Sequence, residues 1–207
     1  KYDRMQYTVT FNANGGTPAP QSQNVRYEGK VSTPSTISKT GYTFGGWYKS
    51  STYTGTAWNF ASNTITANIT LYAKWTANTY KVRFNSNGGS GSMNDQPFTY
   101  GTAQNLTANT FTKANYRFTG WATSSGSSTV VHTDQQSVNN LTTTNGGVVN
   151  LYAVWVPLPK VTFKVEGGKG GKLKCTYDGT TQEASGNTEK YFIVEYNTIK
   201  SAAFTAV

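Results

Sequence analysis

Three aromatic landmarks occur twice in this chain, in the same order, and that self-similarity constrains the fold more than any other feature. Tyr7-Thr-Val-Thr-Phe11-Asn-Ala-Asn-Gly15-Gly16 returns as Tyr80-Lys-Val-Arg-Phe84-Asn-Ser-Asn-Gly88-Gly89, 73 residues later. Gly41-Tyr42-Thr-Phe44-Gly-Gly46-Trp47 returns as Asn115-Tyr116-Arg-Phe118-Thr-Gly120-Trp121, 74 later. Leu71-Tyr-Ala-Lys-Trp75 returns as Leu151-Tyr-Ala-Val-Trp155, 80 later. A period of this kind means copies of one small unit strung together, not one large core. The offset grows by six only between the last two landmarks, so the extra residues lie between Trp121 and Leu151, where a loop is expected.

A third start is visible at Lys160-Val-Thr-Phe163-Lys-Val-Glu-Gly167-Gly168, but no Gly-Trp landmark follows it. The sequence therefore divides into residues 1–6 as an N-terminal linker, a first repeat over 7–76, a second over 80–156, and a partial, divergent repeat over 160–207. The joints are short. Thr76-Ala-Asn-Thr79 connects the first two units and Val156-Pro157-Leu158-Pro159 the next two. The prolines fix φ and stiffen the second joint. The chain opens at Lys1 without an initiator Met or leader, as expected of part of something longer.

Alternation assigns the faces. Tyr7, Val9 and Phe11 share one side of a strand, as do Tyr80, Val82 and Phe84, and Val161, Phe163 and Val165. The intervening Thr, Lys and Arg face the other way, which is the period of a half-buried strand. Asn14-Gly15 and Asn87-Gly88 permit positive φ and predict hairpin-type turns. Leu71, Ala73 and Trp75 alternate in the same way, as do Leu151, Ala153 and Trp155. Phe44 and Trp47 are three apart, and so are Phe118 and Trp121. A regular strand would turn such a pair to opposite faces; placing both on one side needs an extra residue, a β-bulge. Gly46 and Gly120 stand at that point, with the conformational freedom a bulge needs. Residues 33–40 and 102–113 are the places where a short helix or turn is expected, although both are rich in poor helix formers.

Composition agrees with a turn-rich β-protein. Aromatics are 14% of the 207 residues and supply the core volume that Leu and Ile give a helical protein. The net charge is +9, with +5 on residues 1–76 and +2 on each of 77–156 and 157–207. Only four basic residues are Arg, and no basic run occurs, so a nucleic-acid reader is not indicated. A dispersed positive surface favours solubility and leaves room for polyanionic partners. The single Cys175 excludes an internal disulfide framework. No apolar stretch approaches the roughly 20 residues of a membrane-spanning helix.

Catalytic and metal-binding patterns are not found. His132 is the sole histidine and stands in the inserted stretch, as an exposed loop residue would. Cys175 follows Lys172 and Lys174 in Lys172-Leu-Lys-Cys175-Thr-Tyr177 and reads as a strand residue. The nine carboxylates are scattered. Gly167-Gly-Lys169-Gly-Gly-Lys172 lacks the spacing of a phosphate loop and reads as a hairpin turn. No catalytic residue, cofactor or metal is expected. Tyr72 and Tyr152 alternate with the buried Leu and Trp of the closing strand, so they face out and are the candidate ligand contacts, by stacking on sugars. The plainer alternative is a cross-strand pair that covers the sheet.

The three landmarks together resemble the Listeria–Bacteroides repeat, also called the internalin B-repeat: a strand running into Asn-Gly-Gly, then Gly-Tyr-x-Phe-x-Gly-Trp, then Leu-Tyr-Ala-x-Trp. The first repeat carries all three (Phe11 to Gly16, Gly41 to Trp47, Leu71 to Trp75), the second has Asn115 in place of Gly41, and the third keeps only the opening. The resemblance implies a mainly β protein of small β-grasp-like modules with little helix. It implies an extracellular segment of a bacterial surface or secreted protein, acting as spacer and as contact surface for a host or cell-surface protein or glycan, with no catalytic residues. The alternative is an accessory carbohydrate-binding region of a secreted enzyme. No nucleic-acid partner and no membrane insertion are expected, and the isolated piece is expected to be monomeric. Specific binding is expected in the third unit or the flanks more than in the repeated frame.

Overall fold

The computed structural model describes residues 5–164, 172–177, 180–185, 189–193 and 204–206, with side chains described through Pro159. Among the described residues every regular element is a strand. They run β1 (Gln6–Asn12), β2 (Gln23–Arg26), β3 (Tyr42–Tyr48), β4 (Ile69–Ala77), β5 (Thr79–Asn85), β6 (Gln96–Thr99), β7 (Gln104–Asn105), β8 (Tyr116–Ala122), β9 (Ser137–Val138), β10 (Gly147–Pro157), β11 (Lys160–Lys164), β12 (Lys172–Tyr177), β13 (Thr180–Ser185), β14 (Glu189–Ile193) and β15 (Phe204–Ala206). The chain is mainly β, as the sequence predicts. It divides into two compact units. One comprises Lys1–Arg83, Asp95–Leu106 and Ser137–Val149; the other comprises Phe84–Asn94, Thr107–Gln136 and Asn150–Val207.

The first unit contains the whole first repeat, a sheet of order β2-β1-β4-β3. β1 and β4 run parallel at its centre, with Phe11 beside Leu71, and β2 and β3 pair antiparallel on the two edges. The inward set is the one the alternation predicts: Val9, Leu71 and Ala73 are fully buried, and Phe11 and Trp47 nearly so. Loop residues Val31, Ile37, Trp58 and Ile65 complete the core. Burying a large apolar side chain is worth about 1.5–3 kcal/mol, so these loop anchors hold the long connections down, together with backbone bonds such as the Trp58 amide to the Trp47 carbonyl at 2.6 Å and the Ile65 amide to the Gly29 carbonyl at 3.0 Å.

The bulge falls where the sequence puts it. Register shifts between Phe44 and Trp47, and Gly46 has φ 104°. Trp47 is thereby aimed inward, 5% exposed, with its ring 5.0 Å from Phe11. Phe44 sits on the same side, 5.8 Å from Trp47 and 5.3 Å from Trp75, but at the margin, and stays 39% exposed.

The Asn-Gly pairs form tight turns but not two-residue hairpins. Asn14 and Gly15 have φ 48° and 85°, and the Gly16 amide donates to the Ala13 carbonyl at 2.9 Å. The chain then continues through a loop before β2 begins at Gln23. Residues 33–40 form no helix, because the Ser38 and Thr17 backbones pair with each other in extended form. Residues 102–113 form none either: they hold β7 and pair Thr112 with Ser90.

The sheet of the second repeat has the order β6-β5-β10-β8. Within the first unit, β6 pairs with β5, and Tyr80 stacks on Phe98 at 5.4 Å. β9 pairs with β7. Within the second unit, β8 pairs with β10 through a register shift at Val154/Trp155, opposite Gly120 and Phe118. Gly120 has φ 147°, and Trp121 is fully buried. A side chain on Gly120 would meet Val130 and the His132 carbonyl, so this bulge admits only glycine. Asn115 has φ 66° where Gly41 has φ 77°. The substitution keeps a left-handed residue, which Asn adopts most readily after Gly.

In the third segment, β11 pairs with β14, and β12 pairs with both β13 and β15. Lys160-Val-Thr-Phe163 is thus a strand, and Cys175 lies within one. The expected turn at Gly167–Lys172 and the inward set Val161, Phe163 and Val165 fall outside the described residues or side chains.

Candidate functional site

Tyr72 and Tyr152 lie on β4 and β10 and are half-buried, not freely exposed. Tyr72 stands opposite Tyr48 across β3–β4 and beside Asn12 of β1. In the first repeat the cross-strand pair therefore exists. Tyr48 in turn meets the Tyr53 ring edge-on at 5.9 Å, and the Tyr53 hydroxyl accepts a hydrogen bond from Asn14 Nδ2 at 3.1 Å. Lys74 Nζ lies 5.4 Å from the Tyr48 ring. In the second repeat Tyr152 stands opposite Ala122. It borders a groove of about 470 Å³ lined by Phe84, Met93, Phe111, Ser92 and Ser125, among others.

The frame behind these tyrosines is built alike in both repeats. Trp75 Nε1 donates to the Ala13 carbonyl and Trp155 Nε1 to the Ser86 carbonyl, each at 2.8 Å. Asn14 and Asn87 donate through Nδ2 to the Ala73 and Ala153 carbonyls at 2.8 and 2.9 Å. These bonds tie the turn after the opening strand to the closing strand, which is why the Asn-Gly-Gly and Leu-Tyr-Ala-x-Trp landmarks travel together.

A second site was not singled out in the sequence. β4 ends at Ala77 and β5 starts at Thr79, so the joint between the first two repeats is one residue, Asn78. It is the one buried polar residue among those whose side chains are described, 7% exposed. Its amide donates to the Gly41 carbonyl at 2.9 Å, and its carbonyl accepts from the Tyr100 amide at 2.8 Å. Its Nδ2 donates to the Thr143 carbonyl, and its Oδ1 accepts from Thr43 Oγ1, both at 2.7 Å. Two of the four groups come from the first repeat and two from the second. Around it, the Tyr42 and Tyr100 rings meet edge-on at 5.8 Å.

The inserted residues brace this joint. Ile65 and Val138 are both buried and remain 73 apart, so the insertion lies after Val138. Asn140 Oδ1 accepts from the Gly101 amide, and Leu141 donates its amide to the Tyr80 hydroxyl. Asn145 Oδ1 accepts from the Thr79 amide, and the Gly146 amide donates to the Thr79 carbonyl. The available signal was the pairing of a lone polar residue between two strands with an insertion in only one copy. At the next joint Leu158 takes the equivalent place. Its amide donates to the Asn115 carbonyl at 2.8 Å, but it has no side-chain amide to repeat the rest.

Other residues singled out in the sequence are placed plainly. His132 is not an exposed loop residue. It pairs with Trp121 through the backbone, is half-buried, and burial holds its imidazole pKa below the usual histidine value. Its Nδ1 is buried without a partner, as is Trp121 Nε1. Arg83 grips Asp95 through two hydrogen bonds at 3.0 and 2.9 Å and holds that carboxyl below the usual range. The pair is exposed and contributes little to stability. Among the described residues no three His, Cys, Asp or Glu side chains come together, and no helix is long and apolar enough to cross a membrane.

The model of the Listeria-Bacteroides repeat domain matches the chain twice, over residues 7–74 and 80–154. Over 90 residues, 44% of the chain, it is 40% identical to a protein of Evansella cellulosilytica whose name calls it a Gly-rich membrane protein. Over 118 residues, 56% of the chain, it is 37% identical to internalin H of Listeria monocytogenes. These matches span 10% and 20% of the relatives' own lengths.

Proposed function

Because the chain belongs to the Listeria-Bacteroides repeat family, we propose that it is an extracellular, non-catalytic segment of a bacterial surface protein, whose tandem modules hold other parts of that protein at a fixed spacing and offer a contact surface. We read each module as β-grasp-like, on the order β2-β1-β4-β3 with its parallel central pair.

The observation that carries the spacer role is the Asn78 joint. A flexible linker leaves its backbone to water and its side chains free. Here the single linking residue is buried, and all four of its hydrogen-bonding groups are bonded. Leaving one such buried group unpaired costs about 1–3 kcal/mol, so bending at this point is disfavoured. The contact role is supported by family membership and by the half-buried tyrosines on the sheet faces.

Residual dipolar couplings test the joint. In the wild type, amides of residues 7–77 and of 95–106 are expected to fit one alignment tensor. Asn78→Ala is expected to require two. A wild type that already needs two tensors refutes the spacer role. Surface placement is tested separately, with antibodies to the chain applied to intact cells of the source organism; labelling only after permeabilisation refutes it.

A further inference from the structure

The two repeats part company immediately after the Gly-Trp step. Trp47-Tyr-Lys-Ser-Ser-Thr-Tyr53 in the first becomes Trp121-Ala-Thr-Ser-Ser-Gly-Ser127 in the second. Two tyrosines are thus replaced by Ala and Ser, and the frame that holds them is otherwise retained.

In the first repeat the three tyrosines fill their own surroundings. Tyr72 has Tyr48 opposite it, Tyr48 meets the Tyr53 ring edge-on, and the Tyr53 hydroxyl accepts from Asn14. In the second, Tyr152 has only Ala122 opposite. Asn87 meets Ser125 Oγ at 3.5 Å and the Gly126 amide at 3.3 Å instead of a phenol. A side chain added to Gly126 would find nothing within 4 Å. Lys74, beside the ring of Tyr48, is replaced by Val154, which is buried. Beside Tyr152 and Ser125 lies the groove of about 470 Å³, within the range of small-molecule sites.

The lining names the ligand class. Tyr152 supplies ring surface, Met93 an adaptable apolar wall, and Ser92 and Ser125 hydroxyls that both donate and accept. No charged side chain lines the groove. An anionic or cationic ligand would lose water there without gaining a counter-charge. A pyranose ring has an apolar C–H face for an aromatic ring and equatorial hydroxyls for serines. We propose that this groove of the second repeat binds a neutral glycan, with Tyr152 as the platform, and that the first repeat has closed the same site with its own tyrosines. The proposal deepens the contact role above but does not touch the spacer role, so a failed titration leaves the Asn78 joint standing.

The test is an amide chemical-shift titration of the whole chain with cellotriose, maltotriose and chitotriose in turn. At least one is expected to bind in the weak, millimolar range usual for shallow sites. Its shifts should be confined to the neighbourhood of Ser92, Ser125 and Tyr152, with none around Tyr48, Tyr53 and Tyr72. Tyr152→Ser, and Ser125→Trp placing a ring at the groove mouth, should each weaken binding at least about fivefold. Tyr152→Phe should retain binding and shows that the fold is intact. No shifts with any of the three sugars overturns the proposal, as do equal shifts in the first repeat. Binding of heparin that spreads over the lysines and vanishes with salt, in place of sugar binding, also overturns it.

Discussion

The indole of Trp75 occupies the space that a side chain on Gly16 would need, and Trp155 does the same to Gly89. Neither glycine has a positive φ, so the demand is steric: the closing tryptophan must reach across the turn to its carbonyl. Gly16→Ala and Gly89→Ala should each cost about 1–3 kcal/mol, the range for an overpacked site. Chemical denaturation of each variant checks this. A change under about 0.5 kcal/mol at both sites would mean that the indole moves aside freely.

Trp47→Ala should abolish the independent structure of the first repeat. Trp47 is 5% exposed and is touched by Phe11 and Phe44. Losing a buried Trp costs about 3–5 kcal/mol, against total stability that starts at about 5 kcal/mol for small domains. Near-ultraviolet circular dichroism and amide dispersion are the measurements. A cooperative melt within a few degrees of wild type would refute the prediction.

Gly41 and Asn115 share a backbone conformation, yet their exchange should be unequal. Asn115→Gly should change stability by no more than a few tenths of a kcal/mol, since glycine is at ease at φ 66°. Gly41→Asn should cost about 1–3 kcal/mol, because the ring of Tyr100 fills the space its Cβ would take. In the Gly41→Asn/Tyr100→Ala double variant the excess should largely disappear, a coupling that a double-mutant cycle reads directly.

Acid should weaken the second repeat through His132. Its folded pKa is lowered by burial from the usual 6.5, so the unfolded chain takes up a proton more readily. The stabilisation is therefore complete above about pH 6.5 and is lost as pH falls through the folded pKa. Thermal melts at about pH 7.5 and pH 5 should show a drop that His132→Gln reduces. An identical drop in that variant would assign the acid sensitivity elsewhere.

The strand faces were legible because alternation of Val, Phe and Tyr with Thr, Lys and Arg has only one reading at a buried sheet face. The bulge was legible for a related reason: Phe and Trp at a spacing of three cannot both be inward without it. Pairing partners were not legible. Nothing in Gln23–Arg26 announces that it will return to β1 across a ten-residue loop, since its four residues carry a single buried side chain, Val25. The position of the insertion was legible only to within thirty residues, because Ile65 and Val138 are conservative apolar exchanges outside the landmarks. Tyr72 and Tyr152 were expected to behave alike, since they share a motif. They differ because Tyr48 and Tyr53 have no aromatic counterparts. The repeated frame was expected to be plain, and the contrast lies in the residues between its landmarks.

The Asn78 joint makes the modules non-interchangeable. Its seat is assembled from Gly41 and Thr43 on one side and Tyr100 and Thr143 on the other, whereas the next joint offers Leu158 and Asn115. A gene that gained or lost a repeat by recombination would have to cut within a module, not at its edge, to keep matched faces together. The natural cassette of such an array is then half of one repeat with half of the next, and engineers who splice at the apparent linker should expect junctions that do not close.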